Sequence, residues 1–199
     1  GMHTGQDGSS AQSTEDLGIF RTLPEVTVMT PCDRNSSRSL TKKLLDHPKP
    51  SYTRTARNKT REIYTKEEAE ALEIGKASVL REGSDASIIA CGVMVERALE
   101  AADRLAERGV EATVIDMHTI KPIDREAIIR AASSGAIVTA EDHSVIGGLG
   151  SAVAEVLVEE APTMMRMIGV RDKFGESGSP SDIMDKMGLT SENIASKVV

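Results

Sequence analysis

The sequence predicts an α/β protein: a mostly parallel open sheet with helices on both faces, preceded by a partial α/β domain. Three observations carry this reading. From residue 77 onward, short apolar or β-branched runs alternate with stretches whose apolar residues recur at helical spacing. Gly and Asp stand where those stretches start and stop. Before residue 65 the same alternation occurs, but it is only long enough for half of such a domain. Strands that alternate with helices pair in parallel, because each crossover helix returns the chain to the same edge of the sheet.

The elements follow in order. Residues 15–23 carry apolar positions at helical spacing and end at Pro24, with Ser13 or Thr14 as the expected cap. Val26-Thr27-Val28-Met29 is short and β-branched, and Pro31 ends it, so it reads as a strand. Residues 36–45 form a second expected helix. Tyr52-Thr53-Arg54-Thr55-Ala56 is a second expected strand with Arg57 at its end. The chain divides near residues 65–78, giving a partial domain over 1–70 and a full one over 77–199.

In the second part, residues 77–81 and 86–91 read as strands joined by the turn Glu82-Gly83-Ser84-Asp85. Met94, Ala98, Leu99, Ala102, Leu105 and Ala106 mark one helix, and Gly109 ends it. Residues 112–116 are the next strand. Asp124 caps a helix over 125–132, with Gly135 after it. Strands over 138–140 and 165–170 enclose a helix over 153–159, and two helices over 181–187 and 191–197 finish the chain.

Composition narrows the function classes. The chain has 199 residues, 39% hydrophobic, enough for one good core or a small core plus a second unit. A net charge of -7 without a basic block argues against nucleic acid and anionic membrane surfaces. No apolar run approaches the roughly 20 residues of a membrane span. Cys32 and Cys91 lie far apart and outside any CxxC motif, which fits a reduced cytoplasmic protein.

The densest polar motif is Glu141-Asp142-His143, which follows the apolar run 136–140 and precedes Gly147-Gly148-Leu149-Gly150. A strand there delivers the three polar groups to the sheet's carboxyl edge, where ligands gather in open α/β sheets. Two readings of each part stand side by side. The glycine turn can cradle a phosphate at a helix N-terminus, or let a helix pack closely on the sheet. His143 beside Glu141 can be an acid–base pair, or a hydrogen-bonded loop anchor. His118 follows a strand with no second ligand at metal spacing, and His47-Pro48 reads as a turn.

Together with Gly169-Val170-Arg171-Asp172-Lys173-Phe174-Gly175-Glu176-Ser177-Gly178, this block resembles the C-terminal domain of transketolases. The earlier blocks Gly5-Gln6-Asp7-Gly8-Ser9-Ser10-Ala11-Gln12-Ser13-Thr14-Glu15-Asp16, Arg21-Thr22-Leu23-Pro24, Val28-Met29-Thr30-Pro31-Cys32-Asp33 and 52–57 resemble the second half of the pyrimidine-binding domain. That domain directly precedes the C-terminal domain in the family. The similar β subunits of 2-oxoacid dehydrogenases share the domain order. Asp7-Gly8 with Glu15-Asp16, and Asp172-x-Phe174-Gly175, favour transketolase.

The resemblance implies a part of an enzyme that moves a two-carbon ketol unit between sugar phosphates with thiamine diphosphate and Mg. It implies a substrate role for Asp7, on sugar hydroxyls, and for Arg57, on the substrate's phosphate; a carboxylate and a guanidinium fork suit those partners. The alternatives are a loop-capping aspartate and a surface arginine. Ala11 stands where many members carry a histidine. The half-domain that holds the activating glutamate and ring pocket, and the metal-binding Gly-Asp-Gly motif, have no counterpart here, since Gln6 replaces the glycine in Gln6-Asp7-Gly8. The expectation is therefore a chain without catalytic, cofactor or metal residues of its own, inactive alone. Its expected partners are an N-terminal transketolase section, a second copy in a homodimer, and sugar phosphates. A non-catalytic α/β assembly or regulatory module is the alternative.

Overall fold

A computed structural model describes residues 1–198. Its larger sheet has five strands in the order β3-β5-β4-β7-β8: Ser78–Arg81 (β3), Ala112–Asp116 (β5), Ala86–Ala90 (β4), Ala136–Ser144 (β7) and Met164–Val170 (β8). β4, β5, β7 and β8 run parallel, and β3 joins the edge antiparallel to β5. The central strands read as unbroken apolar runs because both faces are covered. Consecutive residues enter opposite cores: Ile88, Val114 and Val138 on one side, Ile89, Ile115 and Ile137 on the other. Helices Met94–Ala106 (α4) and Ser191–Val198 (α8) cover the first face, and Arg125–Ala132 (α5) and Leu149–Glu160 (α6) the second.

The N-terminal region adds Asp16–Thr22 (α1), Thr27–Met29 (β1), Arg34–Lys43 (α2), Ser51–Thr53 (β2) and Lys66–Glu70 (α3). Pro180–Lys186 (α7) lies near the C-terminus. β1 pairs in parallel with β2. Its other edge is covered by Thr119–Lys121 (β6), an antiparallel strand from the second half of the chain. The two cores also run across the expected division at 65–78. Met2, Met29, Leu40 and Leu72 pack with Ile88 and Ala90, and Leu17 and Val28 pack with Ile89 and Cys91.

Several expectations are met for their stated reasons. α4 spans the expected residues, and Gly109 (φ 77°) follows it. The Val110 N–H reaches back to the Leu105 carbonyl at 3.0 Å, closing the helix by the left-handed turn that Gly tolerates. Asp124 caps α5 by accepting the Ala127 N–H at 3.0 Å.

Others are corrected. Neither Ser13 nor Thr14 caps α1; Glu15 stands at that position without a side-chain bond to the helix. α2 begins earlier than expected because Asp33 accepts the Ser36 N–H at 2.7 Å while the Ser36 hydroxyl answers Asp33, a reciprocal cap. β2 stops at Thr53, so Arg57 does not end a strand; it lies four residues beyond, in a loop. α6 starts at Leu149, not 153, and takes Gly150 into its first turn. A Cβ at Gly150 would sit 3.0 Å from Met167 and Thr139, so the glycine lets the helix press on the sheet.

Candidate functional site

The carboxyl ends of β1, β2, β4 and β7 converge on a cavity of about 210 Å³. Thr30 and Pro31 follow β1, Arg54 to Arg57 follow β2, Gly92 follows β4, and Asp142 comes from β7. The 3-10 segment Met2–Asp7 closes one side through His3 and Thr4, with Ala11 and Ser13 beside it. Strand ends in an α/β sheet expose the next residues to one shared space, which is where ligands settle. A larger groove of about 740 Å³ has walls of helix and loop surface, from Arg34, Arg38 and Lys42 to Ile63–Lys66.

Arg54 organises the back wall. Its guanidinium donates to Asp16 Oδ1 at 2.9 Å, the Ser13 carbonyl at 3.3 Å and the Asp142 carbonyl at 2.6 Å. Tyr52 adds its hydroxyl to Asp16 Oδ2 at 2.7 Å and stacks on Phe20 with ring centroids 3.9 Å apart. Burial opposes ionisation of Asp16, but the Arg54 charge, the Tyr52 hydroxyl and the Leu17 N–H outweigh it and lower its pKa. Burial and the Asp16 carboxylate push the Tyr52 phenol up to about 12.

The three groups of the Glu141-Asp142-His143 motif each hold a different element. Glu141 is fully buried and accepts the Leu149 and Gly150 N–H groups at 2.7 and 2.8 Å, filling the N-terminus of α6 with its own carboxylate. The glycine turn is therefore occupied from within, and the phosphate cradle is not what these residues build. A Cβ at Gly148 would collide with that carboxylate. Asp142 accepts the Met2 and His3 N–H groups at 2.6 and 3.1 Å, pinning the 3-10 segment. His143 is buried, with Nδ1 2.6 Å from the Ser144 carbonyl and Nε2 accepting the Gly18 N–H at 3.3 Å. Both ring nitrogens lie against backbone groups, the arrangement of a loop anchor, with the Glu141 and Asp16 carboxylates 3.5 and 3.8 Å from the ring.

Asp7 and Arg57 are brought together: they form an ion pair with each other. Arg57 lines the cavity, with 61% of its side chain exposed, and holds Asp7 at its rim. Sequence reasoning missed Arg54. A residue placed directly after a β-branched strand was the available signal. It also missed α3, although Thr65-x-x-Glu68 is a capping box on sight: Thr65 accepts the Glu68 N–H at 3.2 Å and Glu68 answers the Thr65 N–H at 2.8 Å.

A second polar cluster lies where β5 meets the N-terminal region. Buried Asp116 accepts the Tyr64 hydroxyl at 2.8 Å on Oδ2, while Oδ1 has no partner. Burial raises its pKa to about 7, against the pull of Tyr64 and Cys32 and with the help of nearby Asp33. Burial pushes the Cys32 thiol up and brings His118 down to about 4.

Among the described residues no group of three His, Cys, Asp or Glu side chains is placed to hold a metal ion. The glycine-rich N-terminus of α6 is filled by Glu141.

Comparison with known proteins follows the same division. The model of the transketolase pyrimidine binding domain matches residues 1–62, and that of the transketolase C-terminal domain residues 75–194. The chain is 46% identical to a 6-deoxy-6-sulfo-D-fructose transketolase subunit of Clostridium sp. (strain MSTE9), covering 94% of this chain and 58% of that protein. It is 40% identical to a putative transketolase C-terminal section of Methanocaldococcus jannaschii, covering all of this chain and 63% of that one. A 1-deoxy-D-xylulose-5-phosphate synthase of Geobacter sulfurreducens is 40% identical over 96% of this chain and 30% of its own length. A solved structure described as a split gene transketolase, inactive beta4 tetramer, superposes with a TM-score of 0.92 at 44% identity, covering 98% of this chain and 63% of that one. The chain thus spans about three fifths of the length of the first two relatives.

Proposed function

The chain belongs to the transketolase family, and from that premise we propose that it is the C-terminal section of a thiamine-diphosphate-dependent transketolase. Its reaction is the transfer of a two-carbon ketol unit between sugar phosphates. The observation that carries this reading is the cavity formed where the pyrimidine-binding part and the C-terminal domain meet, with Arg57 at its mouth. A carboxylate and a guanidinium already paired there form a site that a phosphate can enter by displacing Asp7 from the Arg57 fork. Asp7 is then free for sugar hydroxyls.

Thiamine diphosphate with Mg supplies the electron sink, and the protein supplies binding and orientation. We assign the cofactor's diphosphate and metal to a separate N-terminal section, a reading supported by relatives described as transketolase subunits. The chain alone is then inactive. The solved relative described as an inactive tetramer of one subunit supports this, as do relatives described as subunits. A homodimer of the two-section unit, residues 1–70 and 77–199 as its two domains here, and a cytoplasmic setting complete the proposal. No helix among the described residues is long and apolar enough to cross a membrane.

A second reading is favoured by the 40% identity to a 1-deoxy-D-xylulose-5-phosphate synthase. The same experiment separates the two. The chain is mixed with a thiamine-diphosphate-binding section, the cofactor, Mg, xylulose 5-phosphate and ribose 5-phosphate, and products are followed by mass spectrometry. Ketol transfer in the mixture and none with the chain alone is the expected result. Turnover only with pyruvate and glyceraldehyde 3-phosphate supports the synthase, and none with either pair refutes both.

A further inference from the structure

The cavity at the strand ends contains one titratable side chain that the protein itself does not use. Asp16, Tyr52 and Arg54 satisfy one another. Asp142 spends both carboxylate oxygens on the Met2 and His3 N–H groups. Arg57 is paired with Asp7. His3 also lines the cavity. Its Nδ1 is buried with no hydrogen-bond partner. A buried polar atom without a partner destabilises the fold, so such atoms call for a reason.

The backbone around this ring is fixed. The His3 N–H is held by Asp142 Oδ2 at 3.1 Å, and its carbonyl accepts the Asn58 side-chain N–H at 2.6 Å. Asn58 directly follows Arg57, so one hydrogen bond ties the His3 segment to the loop that carries Arg57. Ala11 offers only a methyl group to the same cavity.

We propose that His3 is a specificity-determining residue of this cavity, and that its imidazole hydrogen-bonds a hydroxyl of a polyhydroxylated sugar phosphate whose charged end lies on Arg57. The proposal deepens the transketolase reading and rests on it. Burial lowers the pKa of His3 from its ordinary 6.5, with nearby Arg97 adding to the effect and Asp142 and Glu96 opposing it. A neutral ring suits a hydroxyl, to which it can donate or from which it can accept, and leaves the phosphate to the guanidinium. An imidazole built to meet a hydroxyl also penalises a substrate that lacks it, because the ring nitrogen then stays unpaired.

Two measurements test this. In the assembly with its diphosphate-binding section, His3→Phe keeps the ring's shape and removes its hydrogen bonding. It should raise KM for xylulose 5-phosphate about three- to tenfold, the range of one neutral hydrogen bond, with kcat within about twofold. His3→Gln, which restores a donor and an acceptor, should recover most of that loss. An unchanged KM in His3→Phe, or equal losses in both variants, overturns the role. In the full chain by itself, the His3 ring nitrogens are followed by long-range ¹H–¹⁵N NMR. Ribose 5-phosphate should shift them and inorganic phosphate should not; a response to both or to neither overturns the proposal. An assembly that shows no ketol transfer refutes the functional reading, and the NMR titration then decides His3 separately.

Discussion

The C-terminal part and the N-terminal part are held by different means. Residues 77–198 build their own sheet, with α4 and α8 on one face and α5 and α6 on the other, so its three central strands are buried from both sides. Residues 1–70 supply two strands of three residues each, and the third strand of their sheet comes from β6. Apolar residues of this part join both cores, and polar groups reach across beside them: Arg54 to Asp142, Asp142 to Met2 and His3, and Tyr64 to Asp116. The cavity sits on this joint. A site between two parts can be formed by one polar network that also fastens them, and here Arg54 and Asp142 do both.

The largest expected contrast is between the two parts expressed separately. Residues 77–199 should give a dispersed NMR spectrum and a cooperative denaturation curve, because that segment is of domain size and carries its own two-faced core. Residues 1–70 should give neither. A folded N-terminal piece, or an unfolded C-terminal one, breaks the contrast.

Within the whole chain, Arg54→Met should cost about 3–5 kcal/mol in denaturant unfolding, because it leaves the buried Asp16 carboxylate without its counter-charge. Arg54→Met combined with Asp16→Leu should recover much of the loss, since an apolar pair has no charge to strand. A loss below about 1 kcal/mol for the single variant would make the joint chiefly apolar.

Asp116 gives the contrast a pH dependence. Its folded pKa of about 7 lies above the ordinary 3.8. Between those values the folded chain keeps a proton that the unfolded chain has released, so this contribution is full below about pH 4 and is lost as pH rises through 7. The expected swing is on the order of a few kcal/mol, and Asp116→Asn should flatten it in unfolding curves taken from pH 4 to 8. An equal slope in both proteins would remove Asp116 from the joint's energetics.

The same contrast governs what could be read in the sequence. α4 was legible to the residue because its apolar period and Gly109 are local signals. β4, β5 and the cap at Asp124 were legible for the same reason. The start of α6 was hidden by Gly147-Gly148-x-Gly150, since glycines read as a turn until the carboxylate of Glu141 is known to fill the helix end. β6 was hidden because three residues become a strand only by pairing with β1, ninety residues earlier. Arg54 and Arg57 look alike in sequence. Their fates differ because Asp16 and Asp142 bury one, while the other follows the chain out of the sheet.

Arg57 therefore carries the most direct test of the account, that the joint holds the phosphate of a sugar substrate. In the assembled enzyme, Arg57→Ala should raise KM for xylulose 5-phosphate by about tenfold, the value of one charge-assisted contact at a partly exposed site. Turnover of an unphosphorylated ketol donor such as hydroxypyruvate should stay nearly unchanged, as should the stability of the chain, to within about 0.5 kcal/mol. Equal losses for the phosphorylated and unphosphorylated donors, or no loss for either, would contradict it.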